Sequence, residues 1–95
     1  MSPDPGPRIQ ASATPNPNAM KFTLDRAVVA SGSKSYSSRF EALDDSFATA
    51  LFEVPGMQSL FFMADFITVT KDPGAAWEDL VPAVTSALRD WFASA

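Results

Sequence analysis

The chain contains no cysteine and no histidine in 95 residues. Without cysteine it can form no disulfide, present no thiolate nucleophile, and hold neither zinc nor an iron–sulfur cluster through sulfur. Without histidine it lacks the usual general base near neutral pH and the commonest nitrogen ligand for transition metals. Any catalysis would have to rest on carboxylates, hydroxyls, lysine and arginine. Long apolar runs are missing as well: the longest covers residues 60–64, against the roughly 20 needed to span a bilayer. Cationic excess is absent, because 7 Lys and Arg face 11 Asp and Glu for a net charge of −4. That balance opposes contact with nucleic-acid phosphates and anionic lipid headgroups, so neither nucleic acid nor membrane is an expected partner. The first residues are rich in proline and glycine rather than basic and then apolar, so a soluble cytoplasmic protein is expected.

What is present is 46% hydrophobic and 12% aromatic residues, enough for one small core and too little for two domains. Residues 1–7 hold no large apolar side chain after Met1 and read as a disordered tail, leaving 8–95 as the folded domain. Ile9, Ala11 and Ala13 alternate as one side of a strand, and Met20-Lys21-Phe22-Thr23-Leu24 alternates as a half-buried one. Between them, Thr14-Pro15-Asn16-Pro17-Asn18 combines two prolines with turn-tolerant asparagines, which predicts a rigid extended turn. The Ser- and Gly-rich stretch 31–38 reads as a flexible loop. Ser38 and Glu41 match a capping box, and Asp45 is placed to cap a helix over about 46–52, stopped by Pro55-Gly56.

Residues 57–63 and 66–70 read as a hairpin around Ala64-Asp65. A two-residue turn sets Met63 opposite Phe66 and Phe62 opposite Ile67. Leu60, Phe62, Ile67 and Val69 then share the core face, while Phe61, Met63, Phe66, Thr68 and Thr70 share the other. From Trp77 onward, Leu80, Val81, Val84, Leu88, Trp91 and Ala95 follow a helical stripe with Trp77 and Trp91 assigned to the core. Pro82 inside it predicts a short first turn and a kink. The order β-β-α-β-β-α, with a mainly antiparallel sheet and helices on one face, is that of an α+β two-layer sandwich.

Little in this pattern is chemical. Asp44-Asp45 reads as helix capping rather than as a cation site, and no metal site, cofactor site or catalytic residue is assigned. Ser31-Gly32-Ser33-Lys34-Ser35 lacks the second glycine of a phosphate loop. A serine paired with Lys21, Lys34 or Lys71 has no motif behind it. The second sheet face is more informative. Phe61, Met63 and Phe66, flanked by Thr68, Thr70, Lys21 and Thr23, form either an apolar partner surface or a patch covered by the Ser-rich loop or by the proline turn.

Three blocks carry a resemblance: Thr14-Pro15-Asn16-Pro17-Asn18-Ala19-Met20-Lys21-Phe22; residues 51–62, LFEVPGMQSLFF; and Asp65-Phe66-Ile67-Thr68-Val69-Thr70-Lys71 with Trp77. In this order and spacing they resemble the N-terminal domain of the Nfu/NifU-like iron–sulfur scaffold proteins, over roughly 9–95. The resemblance implies an α+β fold and a role in assembly or delivery of iron–sulfur clusters. Full-length members carry a second domain whose Cys-x-x-Cys pair binds the cluster, so no ligand residue carries over, and a free-standing version of the first domain is expected. The function expected is that of an accessory, non-enzymatic interaction module that meets iron–sulfur scaffold or apo-client proteins. Its expected contact residues are Thr14, Pro15, Asn16, Pro17, Asn18, Phe61, Met63 and Phe66. The rival readings are direct binding of iron or another small ligand by Asp44, Asp45 and Asp65, and a homo-oligomerising structural domain joined through the open sheet face or a strand edge.

Overall fold

The computed structural model describes residues 8–94; the tail expected at 1–7 and the stripe position Ala95 lie outside them. Strands β1 (Ile9–Ala13), β2 (Ala19–Leu24) and β3 (Ser33–Tyr36) are followed by helix α1 (Ser46–Phe52), the hairpin β4 (Met57–Met63) and β5 (Phe66–Lys71), and helix α2 (Trp77–Ser94). The strands form one sheet in the order β1-β2-β5-β4-β3, every neighbouring pair antiparallel. This is the expected α+β sandwich with one strand more than the sequence suggested.

The hairpin has the expected register. Met63 pairs with Phe66, Phe62 with Ile67, Phe61 with Thr68 and Leu60 with Val69. Ala64 takes a left-handed φ of 49° in the turn, as the tight hairpin geometry demands. Alternation then sorts the side chains: Leu60, Phe62, Ile67 and Val69 are all buried, and Phe22 and Leu24 of β2 join them. The two helices cover this face, α2 through Leu80, Val84 and Leu88, and α1 through Ala48, Leu51 and Phe52. Trp77 and Trp91 do not fill the core. Both are half-buried at its margin, Trp77 because its indole N–H reaches a backbone carbonyl and Trp91 because it stacks on Phe47 with ring centres 5.2 Å apart. A large ring with one polar group is well served at such a boundary.

Two further expectations are corrected. Helix α2 has no separate first turn, because it runs from Trp77 to Ser94 with Pro82 inside. Its start is closed by the Ala76 carbonyl, which accepts from the Asp79 and Leu80 N–H groups. Pro82 stands at the sixth helical residue and is exposed, so it removes one early bond, to Glu78, without dividing the helix. The stretch 31–38 is not a flexible linker, for its centre is β3, the edge strand on β4, with Lys34 opposite Phe62 and Tyr36 opposite Leu60.

Asp45 explains how so polar a strand is held. One carboxylate oxygen accepts from the Phe47 and Ala48 N–H groups at the start of α1, and the other accepts from the Tyr36 hydroxyl at 2.7 Å, with Lys34 Nζ at 3.7 Å. The helix cap therefore also clamps β3. Burial works to raise the Asp45 carboxyl, but the Tyr36 hydroxyl, the capped N–H groups and the Lys34 charge outweigh it and hold it below the ordinary 3.8. The Tyr36 hydroxyl is pushed up to about 12, first by its bond to Asp45 and then by burial. A lowered carboxyl contributes stability at neutral pH that is lost as pH falls through its folded-state value. A raised phenol contributes stability that is lost as pH rises from 10 towards 12. Tyr36→Phe should therefore cost about 1.5 kcal/mol at neutral pH, shallow the acid limb and remove the phenol's share of the alkaline one, as urea denaturation across pH will show.

Candidate interaction surface

The outer face of the sheet has no helix over it among the described residues. Lys21 and Thr23 of β2 stand there beside Thr68 and Phe66 of β5, and Phe61 and Met63 of β4 continue the row. The Ser-rich segment does not fold across them but extends the sheet sideways as β3, with Ser35 opposite Phe61 and Ser33 opposite Met63. Phe61 and Phe66 are half-buried against each other, ring centres 6.2 Å apart, and Met63 is 45% exposed. Lys21 lays its ammonium 4.4 Å from the centre of the Phe66 ring, a cation–π contact that leaves the charge at the surface.

The proline turn at 14–18 lies elsewhere. It adjoins Ala19, which pairs with Thr70, whereas Phe66 pairs with Thr23. Four residue steps of about 3.3 Å separate the two by about 13 Å along the strands. The eight expected contact residues therefore fall in two separate places on the sheet. The turn is also largely committed to its own structure. The Thr14 hydroxyl lies 2.9 Å from the Ala19 carbonyl and 3.0 Å from that of Asn16, and the Asn16 side chain accepts from the Asn18 N–H at 2.9 Å. The Pro17 carbonyl accepts from the Trp77 indole at 2.9 Å, and the Asn18 side chain accepts from Lys71 Nζ at 3.2 Å. What remains at the surface is Pro15, Asn16 and Pro17.

Lys71 is the residue sequence reasoning missed here. It ends β5 on the core side, is only 7% exposed, and holds Asn18 while its ammonium stands 5.8 Å from the Trp77 ring centre. The β5 alternation was the available signal, since Lys71 has the same parity as Ile67 and Val69. Lys71→Ala leaves the Asn18 oxygen without its donor and should cost about 2 kcal/mol. The measurement is urea denaturation, with Trp77 fluorescence reporting the loosened turn.

Also unforeseen are Phe40 at 78% and Leu43 at 64% exposure. They stand on the turn between β3 and α1, which is fixed by the Ser37 N–H donating to Glu41 and by the Thr49 hydroxyl donating to the Ala42 carbonyl. Of the Ser38–Glu41 capping box expected there, only half is formed: the Glu41 N–H lies 3.4 Å from the Ser38 hydroxyl, while the Glu41 side chain accepts from the Ser37 N–H rather than that of Ser38, and the segment is a turn rather than a helix. Asp44, Asp45 and Asp65 do not converge: among the described residues no three acidic side chains group as metal ligands do, and Asp45 is occupied by its cap.

The helices thus lie on one face of the α+β sandwich, and among the described residues the aromatic face on the other side is left uncovered. The family model for the N-terminal part of the scaffold protein Nfu/NifU matches residues 9–95, and the chain belongs to that family. It is 39% identical over 87 residues to the mitochondrial NFU1 iron-sulfur cluster scaffold homolog of Drosophila ananassae, covering 90% of this chain and 30% of the relative. It is 37% identical to the human counterpart, covering 90% and 34%. The chain thus spans about a third of the length of the curated relatives it matches. Among solved structures, the NifU-like protein of Saccharomyces cerevisiae superposes with a TM-score of 0.81 at 27% identity, covering all of this chain and 86% of that one. Protein SAV1430 of Staphylococcus aureus gives 0.71 at 36%, covering 84% of this chain and 96% of that one.

Proposed function

We propose that this domain is a recognition module in iron–sulfur cluster assembly or delivery, docking scaffold or apo-client proteins without itself ligating the cluster or catalysing a reaction. Family membership supports that pathway, and the absence of cysteine and histidine from these 95 residues removes the ligands that clusters ordinarily take. The observation that carries the reading is the uncovered row of Phe61, Met63 and Phe66 beside Lys21. Aromatic and methionine side chains with a polar rim are what protein interfaces place at their centres. The proline turn is a second, preorganised contact at the other end of the sheet.

Calorimetric titration with a purified cysteine-bearing iron–sulfur scaffold domain, and separately with an apo-client, tests the proposal. The double variant Phe61→Ser, Phe66→Ser should weaken binding at least about 30-fold, as loss of two central aromatic anchors implies. Pro17→Ala should weaken it only a few-fold. Unchanged affinity in the double variant would remove the sheet face from the account.

A further inference from the structure

Charge is distributed over this molecule by layer. None of the five strands carries an aspartate or glutamate, although the chain has 11 acidic residues and a net charge of −4. The described carboxylates stand in the turns, as Asp25, Asp65 and Asp72 do, or in and around the helices. Two strand lysines, Lys34 and Lys71, share the core-side parity of Phe62 and Ile67. Lys21 is thus the one charged side chain of the strands on the outer face, and its partner there is an aromatic ring rather than a carboxylate. Asp25, at the end of β2, is paired with Arg26 at 3.0 Å.

Resting on the reading above, we infer that the outer face selects a different protein whose docking surface is apolar at its centre and carries a carboxylate opposite Lys21. Two copies of this chain placed face to face would bring Lys21 against a surface with no strand carboxylate, burying a cation with only its Phe66 ring and no opposite charge from the strands, which is costly. A second copy docking by the Phe40 and Leu43 turn, where Glu41 and Asp44 are exposed, would have to meet the face reciprocally about a two-fold axis or else build a ring or a filament, a geometric demand that a separate partner does not face. A separate acidic and apolar partner meets neither obstacle. Electrostatic complementarity of this kind mainly sets partner choice.

The test uses the isotope-labelled protein and two synthetic peptides with the same aromatic and aliphatic residues, one bearing glutamates and the other lysines. The glutamate peptide should shift the amide signals of Lys21, Phe61, Met63 and Phe66, and the lysine peptide should not. Lys21→Glu should reverse that preference and weaken the scaffold domain about tenfold, while Arg89→Glu on α2 changes neither. Equal shifts from both peptides, no shift from the glutamate peptide, or a preference untouched by Lys21→Glu would overturn the inference. So would a concentration-dependent dimer in sedimentation equilibrium that Lys21→Glu strengthens or Phe40→Ser abolishes. If the scaffold domain binds normally to Lys21→Glu, the charge inference fails and the docking proposal stands. If it binds the wild type not at all, the docking proposal fails first.

Discussion

Phe62→Ala is expected to lower the unfolding free energy by about 4 kcal/mol. The side chain is 1% exposed at the centre of the hairpin's core face. Its ring stacks on Phe47 with centres 5.4 Å apart and meets Tyr36 edge-on at 6.0 Å, and Phe47 in turn contacts Trp91 and Phe92 at 5.2 and 5.6 Å. One substitution therefore empties a site that joins β3, α1 and α2, and the rings around it cannot close the space without moving a whole element. A domain of this size holds only about 5–15 kcal/mol in total. In urea denaturation the midpoint should fall steeply with the slope unchanged. A loss under about 2 kcal/mol would mean that this cluster does not join the layers.

Gly56→Ala is the second large effect, expected at about 3 kcal/mol from backbone strain and overpacking together. Gly56 ends the segment after α1 with a φ of 91°, in the left-handed region that favours glycine. An added Cβ would stand 2.9 Å from the Ala75 Cβ and 3.7 Å from both methyls of Leu80. The nearest obstacle is a short side chain fixed to backbone, so it cannot swing away. The Gly56 carbonyl also accepts from the Asp72 N–H at 2.9 Å, tying the entry to β4 to the exit of β5. Gly74→Ala, where nothing lies within 4 Å of the added carbon, is the control and should be near neutral. Thermal denaturation of the two variants separates the local clash from a general intolerance of this loop.

The parts legible in the sequence were those where one local rule decides. The two-residue turn and strict alternation fixed which hairpin side chains face the core, and with them the outer row of Phe61, Met63 and Phe66. Asp45 before an apolar helical segment located the start of α1 for the same reason. Strand β3 was not legible, because Ser33-Lys34-Ser35 has no apolar alternation and is held by backbone pairing to β4 and by the distant Asp45 clamp. The separation of the proline turn from the aromatic row was hidden too, since it depends on β2 pairing with β5 across more than forty intervening residues. Lys71 was overlooked because a charged residue at a strand end reads as solvated. Here Asn18, the Asp72 carbonyl and the Trp77 ring replace water.

The central claim is that the uncovered sheet face is where this domain meets its partner. Amide chemical-shift mapping of the labelled protein, titrated with a cysteine-bearing iron–sulfur scaffold domain, tests it most directly. The account predicts that the largest shifts fall on Lys21, Phe61, Met63, Phe66 and Thr68, with helix α2 undisturbed. Shifts confined to the α2 surface or to the Phe40–Leu43 turn, with the sheet face silent, would contradict it.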